Sequence, residues 1–519
     1  MLDNTYNFSG ELTASTRTHT AGSSTTTIAN RYEYDHMGRK LASFENINDK
    51  GEVVLLKLDY NELGQLKNKS QHSEDKVNFL QATGFAYNER GWLRNSINSQ
   101  FSMQLDYNEN GSGLYNGNIG RQSWSATSNP LSSGIYMSYG YDKLNRLSSS
   151  IGTGITMNET IAYDVLGNID RFQRDNGTDN KYHYHGSQLW FAAEVTNGYE
   201  YDRNGNSTTD GRSGYHFDYN VLNLPKQVRG TNNQDLVAGY TYDATGDKLK
   251  KITPAGTINY IDGIHYKTDN SIDFIQTEEG LARNNGSGNY SYEYNLSDHL
   301  GNVRTTFYKN PSTNLLEVLQ RDDYNAFGLR NSTQSGNNKY LYNGKELQEE
   351  LGQYDYGARF YDPVIARWNA VNPLAELHHG INPYNYVLNN PLLYSDEFGL
   401  DTTRKNKPLE VTIVGRKINA NIISIPIPRT IPTIAPIPPP NPILIFLAAF
   451  LLPSNWWETQ RGFRPGEMPP GYDPRIVKTE TTVEGLIAES EKIPIKIKSK
   501  MSFMNGKVEW RKQKKILHL

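Results

Sequence analysis

Residues 240–249 read Tyr-Thr-Tyr-Asp-Ala-Thr-Gly-Asp-Lys-Leu, and this short stretch decides the fold. The rings of Tyr240 and Tyr242 are two positions apart, so they share one face of a strand, where aromatic side chains pair across a sheet. Asp243 comes next, a residue type that bonds its own downstream backbone and opens a turn. Gly246 follows and supplies the positive φ that a tight turn requires. Leu249 then begins the returning strand. Together these features describe one β-hairpin.

The same unit recurs along the chain. It is found at Tyr32–Asp35 with Gly38, Leu58–Asn61 with Gly64, Phe85–Asn88 with Gly91, Ile161–Asp164 with Gly167, and Tyr199–Asp202 with Gly205. In the copies at Tyr139–Asp142 and Phe217–Asn220 the glycine position holds Asn145 and Asn223. Asparagine tolerates left-handed backbone better than most residues, so these turns are expected to survive. Leu41, Leu66, Leu93, Leu147 and Ile169 open the other returning strands. A lone hairpin cannot bury its face, so neighbouring units must stack edge to edge, and one long sheet is expected over residues 1–338. The Tyr-Asp pairs are explained by turn chemistry; sugar binding by exposed rings is the lesser alternative.

Composition agrees with strands and turns. Among 519 residues there are 35 Tyr and 44 Gly, while hydrophobic residues make up only 36%. Without cysteine there are neither disulfides nor thiolate zinc sites, and a net charge of −3 makes no whole-chain case for nucleic acid or membrane attraction. The opening MLDNTYNFSGELTAS has no basic and no apolar signal region and looks like the middle of a repeat array. The chain is therefore expected to be the C-terminal part of a longer exported protein, or a gene fragment. His183 and His185 share a strand face that could hold a metal, but no third ligand has a recognisable spacing, and ring packing explains them better. No phosphate-binding loop is present, and no cofactor or metal is expected.

The segment Tyr340–Leu400 carries Asn343-Gly344-Lys345-Glu346-Leu347, Ala358-Arg359-Phe360-Tyr361-Asp362-Pro363, Arg367-Trp368, Asn372-Pro373-Leu374-Ala375-Glu376, Pro383-Tyr384-Asn385-Tyr386 and Asn389-Asn390-Pro391-Leu392. Upstream lies Asp298-His299-Leu300-Gly301-Asn302-Val303-Arg304. With the Tyr-Asp units, these stretches resemble RHS/YD-repeat proteins with an RHS repeat-associated core, in the Bacteroidetes-type polymorphic-toxin version. The resemblance implies an all-β fold: hairpins form a spiralling shell over 1–338, the core at 339–400 closes it, and a variable tail occupies 401–519. The Asp298-His299 pair, with no nucleophile nearby, is read as architecture.

Members of this family often cut themselves after the core with a pair of aspartates and an arginine. Matched motif by motif, Arg359 is the arginine and Asp396 the second aspartate, and the cut would fall between Leu400 and Asp401. The position of the first aspartate holds Asn372, which cannot ionise or pass a proton. Glu397 stands where the family has proline. Self-cleavage is therefore expected to be absent or very slow, with Glu397 or Asp401 as misplaced substitutes. Apart from the resemblance, Asp396 and Arg359 are a turn residue and an ion pair in a polar core.

The tail changes character. Residues 408–415 read as a strand, and the proline-rich 425–442 as an extended linker. The apolar run 443–452 has only ten residues, whereas a membrane span needs about twenty. With Trp456 and Trp457 behind it, this run is either a membrane-active segment or a chain hidden inside the shell against a tyrosine-lined wall. A basic end from Lys492 to Lys515 includes a hairpin around Asn505-Gly506 that could hold nucleic acid or acidic membrane, or simply be solvated.

These features fit two functions. In the first, the chain is a secreted or cell-surface β-shell carrier that encloses its own C-terminal tail as effector in contact-dependent interbacterial competition. Its partners are that tail, an immunity protein and a target-cell surface or membrane, with no specific nucleic-acid partner for the shell. In the second, it is a surface adhesion or carbohydrate-binding repeat protein with an inert tail. A catalytic autoprotease is the weaker third possibility, against which Asn372 argues.

Overall fold

The computed structural model describes residues 1–22, 24–109, 113–192, 197–404, 500–504 and 507–511. Among these residues the regular structure is β, apart from short 3₁₀ turns at Tyr342–Gly344, Ala375–Leu377 and Val387–Asn389. No helix there is long and apolar enough to cross a membrane. The chain forms two compact units, Met1–Ser424 and Ile425–Leu519.

In the first unit the hairpins stack in sequence order. A 16-stranded sheet runs from Leu2–Tyr6 to Gln188–Ala192, and a 14-stranded sheet from Glu200–Tyr201 to Arg330–Gln334. All the pairings are antiparallel, but there are two sheets where one was expected. The ladder restarts at Glu200–Tyr201, a strand of two residues that offers few pairing groups. Close by, the amide of Ser207 donates to the carbonyl of Asn369, 2.9 Å away in the later segment, so that segment's backbone takes part at the restart.

The repeat turns share one construction. Asp243 Oδ1 accepts the amides of Thr245 (2.8 Å) and Asp247 (2.9 Å), and Gly246 has φ +91°. Asp35, Asn61, Asn88, Asp142, Asp164, Asp202, Asn220 and Asp298 take the amides two and four residues on in the same way. Asn145 and Asn223 hold the left-handed position at φ 63° and 59°, as their chemistry predicted. A register shift falls just before the second ring, for example between Ala162 and Tyr163. The partner of the second ring lies six residues after it in each of these copies, so Lys40 and Lys248 pair with Tyr34 and Tyr242, one residue earlier than the expected Leu41 and Leu249. Leu66, Leu93, Leu147 and Ile169 stand where the pattern put them.

The second ring of the unit has a role that its spacing does not reveal. The hydroxyl of Tyr163 donates to the carbonyl of Leu147 at 2.6 Å, at the head of the preceding hairpin's returning strand. Tyr60 donates likewise to Lys40 (2.9 Å), Tyr87 to Leu66 (2.9 Å), Tyr184 to Ile169 (2.8 Å), Tyr219 to Ser207 (2.8 Å) and Tyr324 to Val303 (2.8 Å). These hairpins are thereby strapped to their predecessors, whereas the buried hydroxyl of Tyr242 has no hydrogen-bond partner among the described residues. Burial holds the phenols of Tyr163 and Tyr219 well above their usual range. Two further copies, Tyr6-Asn7 with Gly10 and Tyr324-Asn325 with Gly328, close with the same backbone turn bonds, the Gly10 amide to the Asn7 carbonyl (3.1 Å) and the Gly328 amide to the Asn325 carbonyl (2.8 Å). They escaped the pattern because the residue two before the tyrosine is Asn4 or Asp322 rather than a ring.

After the second sheet the chain becomes a tight meander of Glu346–Gln348, Gln353–Asp355, Phe360–Asp362 and Arg367–Trp368, and Tyr394–Asp396 later pairs with Thr402–Arg404. The Asn and Tyr side chains of this segment close on repeat turns. Asn389 Nδ2 donates to the Gly167 carbonyl (3.0 Å) and Asn390 Nδ2 to that of Asn145 (2.8 Å). Asn343 Nδ2 reaches the Leu300 carbonyl (3.1 Å) and Tyr384 Oη that of Gly205 (2.7 Å). The segment is thus a cap seated on turn ends of both sheets.

The exposed rings of His183 and His185 lie against Phe191 (centroids 6.3 Å apart) and Trp190 (5.4 Å). In the second unit, Lys500–Met504 and Lys507–Arg511 pair antiparallel with Met504 opposite Lys507, the hairpin expected around Asn505-Gly506. The sequence readings for 408–415, 425–442, 443–452, Trp456 and Trp457 lie outside the described residues.

If the hydroxyl strap stabilises the stack, Tyr163→Phe should lower unfolding stability by about 1–2 kcal/mol, because a buried carbonyl loses its donor. The urea midpoint should fall with an unchanged slope. Tyr6→Phe, whose ring is exposed, should leave the midpoint where it was.

Candidate functional site

The place where the chain leaves the cap is organised around a buried guanidinium. Arg359, 2% exposed, is bonded on every side. Its Nε donates to the Gly399 carbonyl (2.7 Å), Nη1 to the Pro383 carbonyl (3.1 Å) and Nη2 to Asp396 Oδ2 (3.3 Å). Its flat face lies 4.1 Å over the Trp368 ring. Burial pulls its pKa down to about 10, with Asp396 opposing, so it remains protonated at neutral pH. Burial likewise pushes the Asp396 carboxyl up, and Arg359 and nearby amides counter it.

Asp396 is also a turn residue. Its Oδ1 accepts the amides of Phe398 (3.1 Å) and Leu400 (3.0 Å), the same +2 and +4 pattern that closes each repeat. Gly399 has φ +71°, and a Cβ there would stand 3.1 Å from the Arg359 nitrogen, so both conformation and space call for glycine.

Asn372 reaches this junction through its backbone. Its amide donates to the Pro383 carbonyl (3.0 Å), the same oxygen that Arg359 uses, while its side-chain Oδ1 accepts the Leu374 amide (2.8 Å). The structure therefore brings Arg359 and Asp396 into direct contact and turns the Asn372 carboxamide to its own turn. Glu397 is exposed, and its carbonyl accepts Lys345 Nζ at 2.5 Å. Asp401 is exposed too, with Oδ1 bonded to the Thr402 amide (2.7 Å) and 3.0 Å from His378 Nε2. Sequence spacing offered no hint of the His378–Asp401 pair, since 23 residues separate them.

A second centre, missed in the sequence, is Asn343. Its Oδ1 accepts the hydroxyls of Tyr356 (2.8 Å) and Tyr386 (2.6 Å), while its Nδ2 donates to the Leu300 carbonyl and to Asn302 Oδ1 (3.0 Å). Around it Tyr361 stacks on Tyr386 at 4.0 Å, and Trp368 meets Tyr386 edge-on at 5.5 Å. His299 Nε2 lies 3.0 Å from the Leu392 carbonyl, so the Asp298–Arg304 turn is wired into the cap. Two carboxylates do converge elsewhere: Arg212 lies between Asp362 (3.2 Å) and Asp210 (3.6 Å). Burial pushes Asp362 up, with Arg212 opposing. Among the described residues no three His, Asp or Glu side chains gather as a metal site. The arrangement is suited to holding a chain end in place.

Breaking the buried pair on one side should be costly. Asp396→Asn leaves Arg359 without its counter-ion and should lower stability by about 3–5 kcal/mol, measured by urea unfolding. Glu397→Gln, at an exposed carboxylate, should shift it by less than about 0.5 kcal/mol.

No protein-family model matches the chain. Over 217 residues it is 27% identical to the tRNA3(Ser)-specific nuclease WapA of Bacillus spizizenii, a match that covers 38% of this chain and 9% of that protein. Over 90 residues it is 30% identical to toxin subunit YenC1 of Yersinia entomophaga, covering 16% of this chain and 9% of the other. The crystal structure of TcdB2-TccC3-Cdc42 superposes with a TM-score of 0.61 at 18% identity, over 77% of this chain and 21% of that one. TcdB2-TccC3 without its hypervariable C-terminal region gives 0.59 at 16% identity, over 76% and 23%. The chain thus spans about a tenth of these curated relatives and about a fifth of these solved chains.

Proposed function

We propose that this chain, which has the all-β repeat fold of RHS-type toxin shells, is the closing part of a carrier that holds and presents a variable C-terminal effector in contact-dependent bacterial competition. The observation that carries this reading is the cap. Asn343, Tyr384, Asn389 and Asn390 seat it on turn carbonyls of both sheets. At its exit Arg359 and Asp396 grip the chain, and Arg404 Nη2 bonds the Asn116 carbonyl at 2.8 Å. A segment built to anchor the chain leaving it suits a carrier better than an adhesin. The likeness to TcdB2-TccC3, described with a hypervariable C-terminal region, and to the WapA nucleases supports the same reading. Under it, residues 401–519 are the effector, a separate immunity protein protects the producer, and the protein acts outside the cell or at its surface.

Producing residues 401–519 alone in the cytoplasm or periplasm of a test bacterium should arrest growth, whereas residues 1–519 should not. Normal growth in both compartments would remove the carrier reading and leave an inert-tailed surface protein.

Self-cleavage after Leu400 we infer to be absent or very slow. Asn372 cannot share a proton with Asp396, and Asp396 is committed to Arg359 and two backbone amides. Intact mass of purified 1–519 should give one species. A fragment starting at Asp401 in the wild type would contradict this, and Asn372→Asp is the variant in which such a fragment should emerge.

A further inference from the structure

The joint between the 14-stranded sheet and the cap is made of buried polar and charged groups gathered around one histidine. His265, on strand Ile264–Tyr266, is 4% exposed. Its ring stacks on Phe274 (centroids 4.1 Å, 22°) and meets Tyr260 edge-on at 4.7 Å. Its Nε2 lies 3.2 Å from the hydroxyl of Tyr340, whose backbone forms a β-bridge with Glu346 at the start of the cap. Beside it Lys248 Nζ is bonded to Glu346 Oε2 (2.5 Å) and Asp355 Oδ2 (2.7 Å). Tyr260 donates to Glu346 Oε1 (2.9 Å), and Lys251 pairs with Glu350 (2.7 Å). From the cap, then, Tyr340, Glu346 and Asp355 face this site. From the sheet, Lys248, Tyr260, Asp273 and Arg283 do.

We propose that this joint is an acid-sensitive latch, in which protonation of His265 releases residues 339–355 from the sheet while the repeat hairpins stay stacked. The inference does not rest on the carrier function, and an inert tail would leave it standing.

The direction comes from the environment. Burial drives His265 down to about 4, with Glu346 countering and Lys248 adding to the fall. Once the joint opens, the imidazole returns towards the ordinary histidine value of about 6.5. The open state therefore binds the proton more readily between those values. His265 contributes its full stabilisation above about pH 6.5 and loses it as pH falls towards 4. Burial pushes Glu346 up, but Lys248 more than reverses this and holds it below the usual range. Its contribution is therefore kept down to the ordinary carboxylate value of about 4.5 and lost only below it, so His265 alone sets the response over most of the interval from 6.5 to 4. The joint between the two sheets behaves differently. There His72, at about 4, and Glu45, pushed by burial to about 7, respond to acid in opposite senses and offset one another. That contrast makes the response local to the cap.

Hydrogen exchange on the full chain, corrected for the intrinsic pH dependence of amide exchange, tests this. From pH 6.5 to 4 the opening equilibrium of peptides within 339–355 should rise by up to about 80-fold from this one histidine, most steeply near pH 5, where the slope approaches tenfold per unit. His265→Phe keeps the stacked ring and cannot take the proton, so that factor should vanish while peptides of the 16-stranded sheet exchange as before. Tyr340→Phe, which keeps the titrating imidazole, should be less protected at pH 7.5 and retain the pH slope. No acid-dependent loss of protection in the wild type, an equal loss in His265→Phe, or a missing slope in Tyr340→Phe would each overturn the latch.

Discussion

A buried hydroxyl is costly to leave without an acceptor, and the stacking of most hairpins in this protein follows from that constraint. Most Tyr-Asp units place a phenol at the point where the first strand enters the turn, away from open solvent, although Tyr6 is exposed and the Tyr242 hydroxyl lacks a partner among the described residues. The acceptor within reach is the carbonyl at the head of the preceding return, as with Tyr163 and Leu147. A one-residue slip between hairpins would break that bond as well as the ladder. Tyrosine therefore fixes the register of neighbours, which a phenylalanine of the same shape could not do.

The same rule organises the cap. Short carboxamide and phenol side chains there find turn carbonyls of the repeats, and Asn343 joins the Leu300 carbonyl, the Asn302 side chain and the hydroxyls of Tyr356 and Tyr386 at one point. The Asn- and Tyr-rich composition of residues 340–400 thus has a specific use, since Asn343, Tyr384, Asn389 and Asn390 are matched to backbone carbonyls on the hairpins beneath. Charged contacts are placed where the chain must be held, at Arg359–Asp396 and at Lys248 with Glu346 and Asp355. Anchoring and the proposed release are therefore assigned to different pairs, one close to the exit and one at the start of the cap.

Asp396 shows how one local device serves two purposes. It closes a turn with the amide pattern of the repeat aspartates and supplies a counter-ion to Arg359. The Arg–Asp contact matched by motif is present, but Asn372 stands beside it with its carboxamide engaged by Leu374. Such an arrangement grips a chain without requiring that it be cut.

Hairpins, turn positions, the left-handed Asn145 and Asn223 and the tail hairpin around Asn505-Gly506 were legible in the sequence, because ring spacing, turn residues and φ preference act within about ten residues. Motif matching alone singled out Arg359 and Asp396. What the chain could not reveal locally was every contact between distant positions. The tyrosine straps, the division into two sheets, the seating of Asn389 on Gly167 and the His265–Tyr340 contact depend on partners 12 to 222 residues away. Which carbonyl lies above which hydroxyl is decided only when the hairpins stack, since pairing energy depends on the geometry of the assembled sheets rather than on the order of residues.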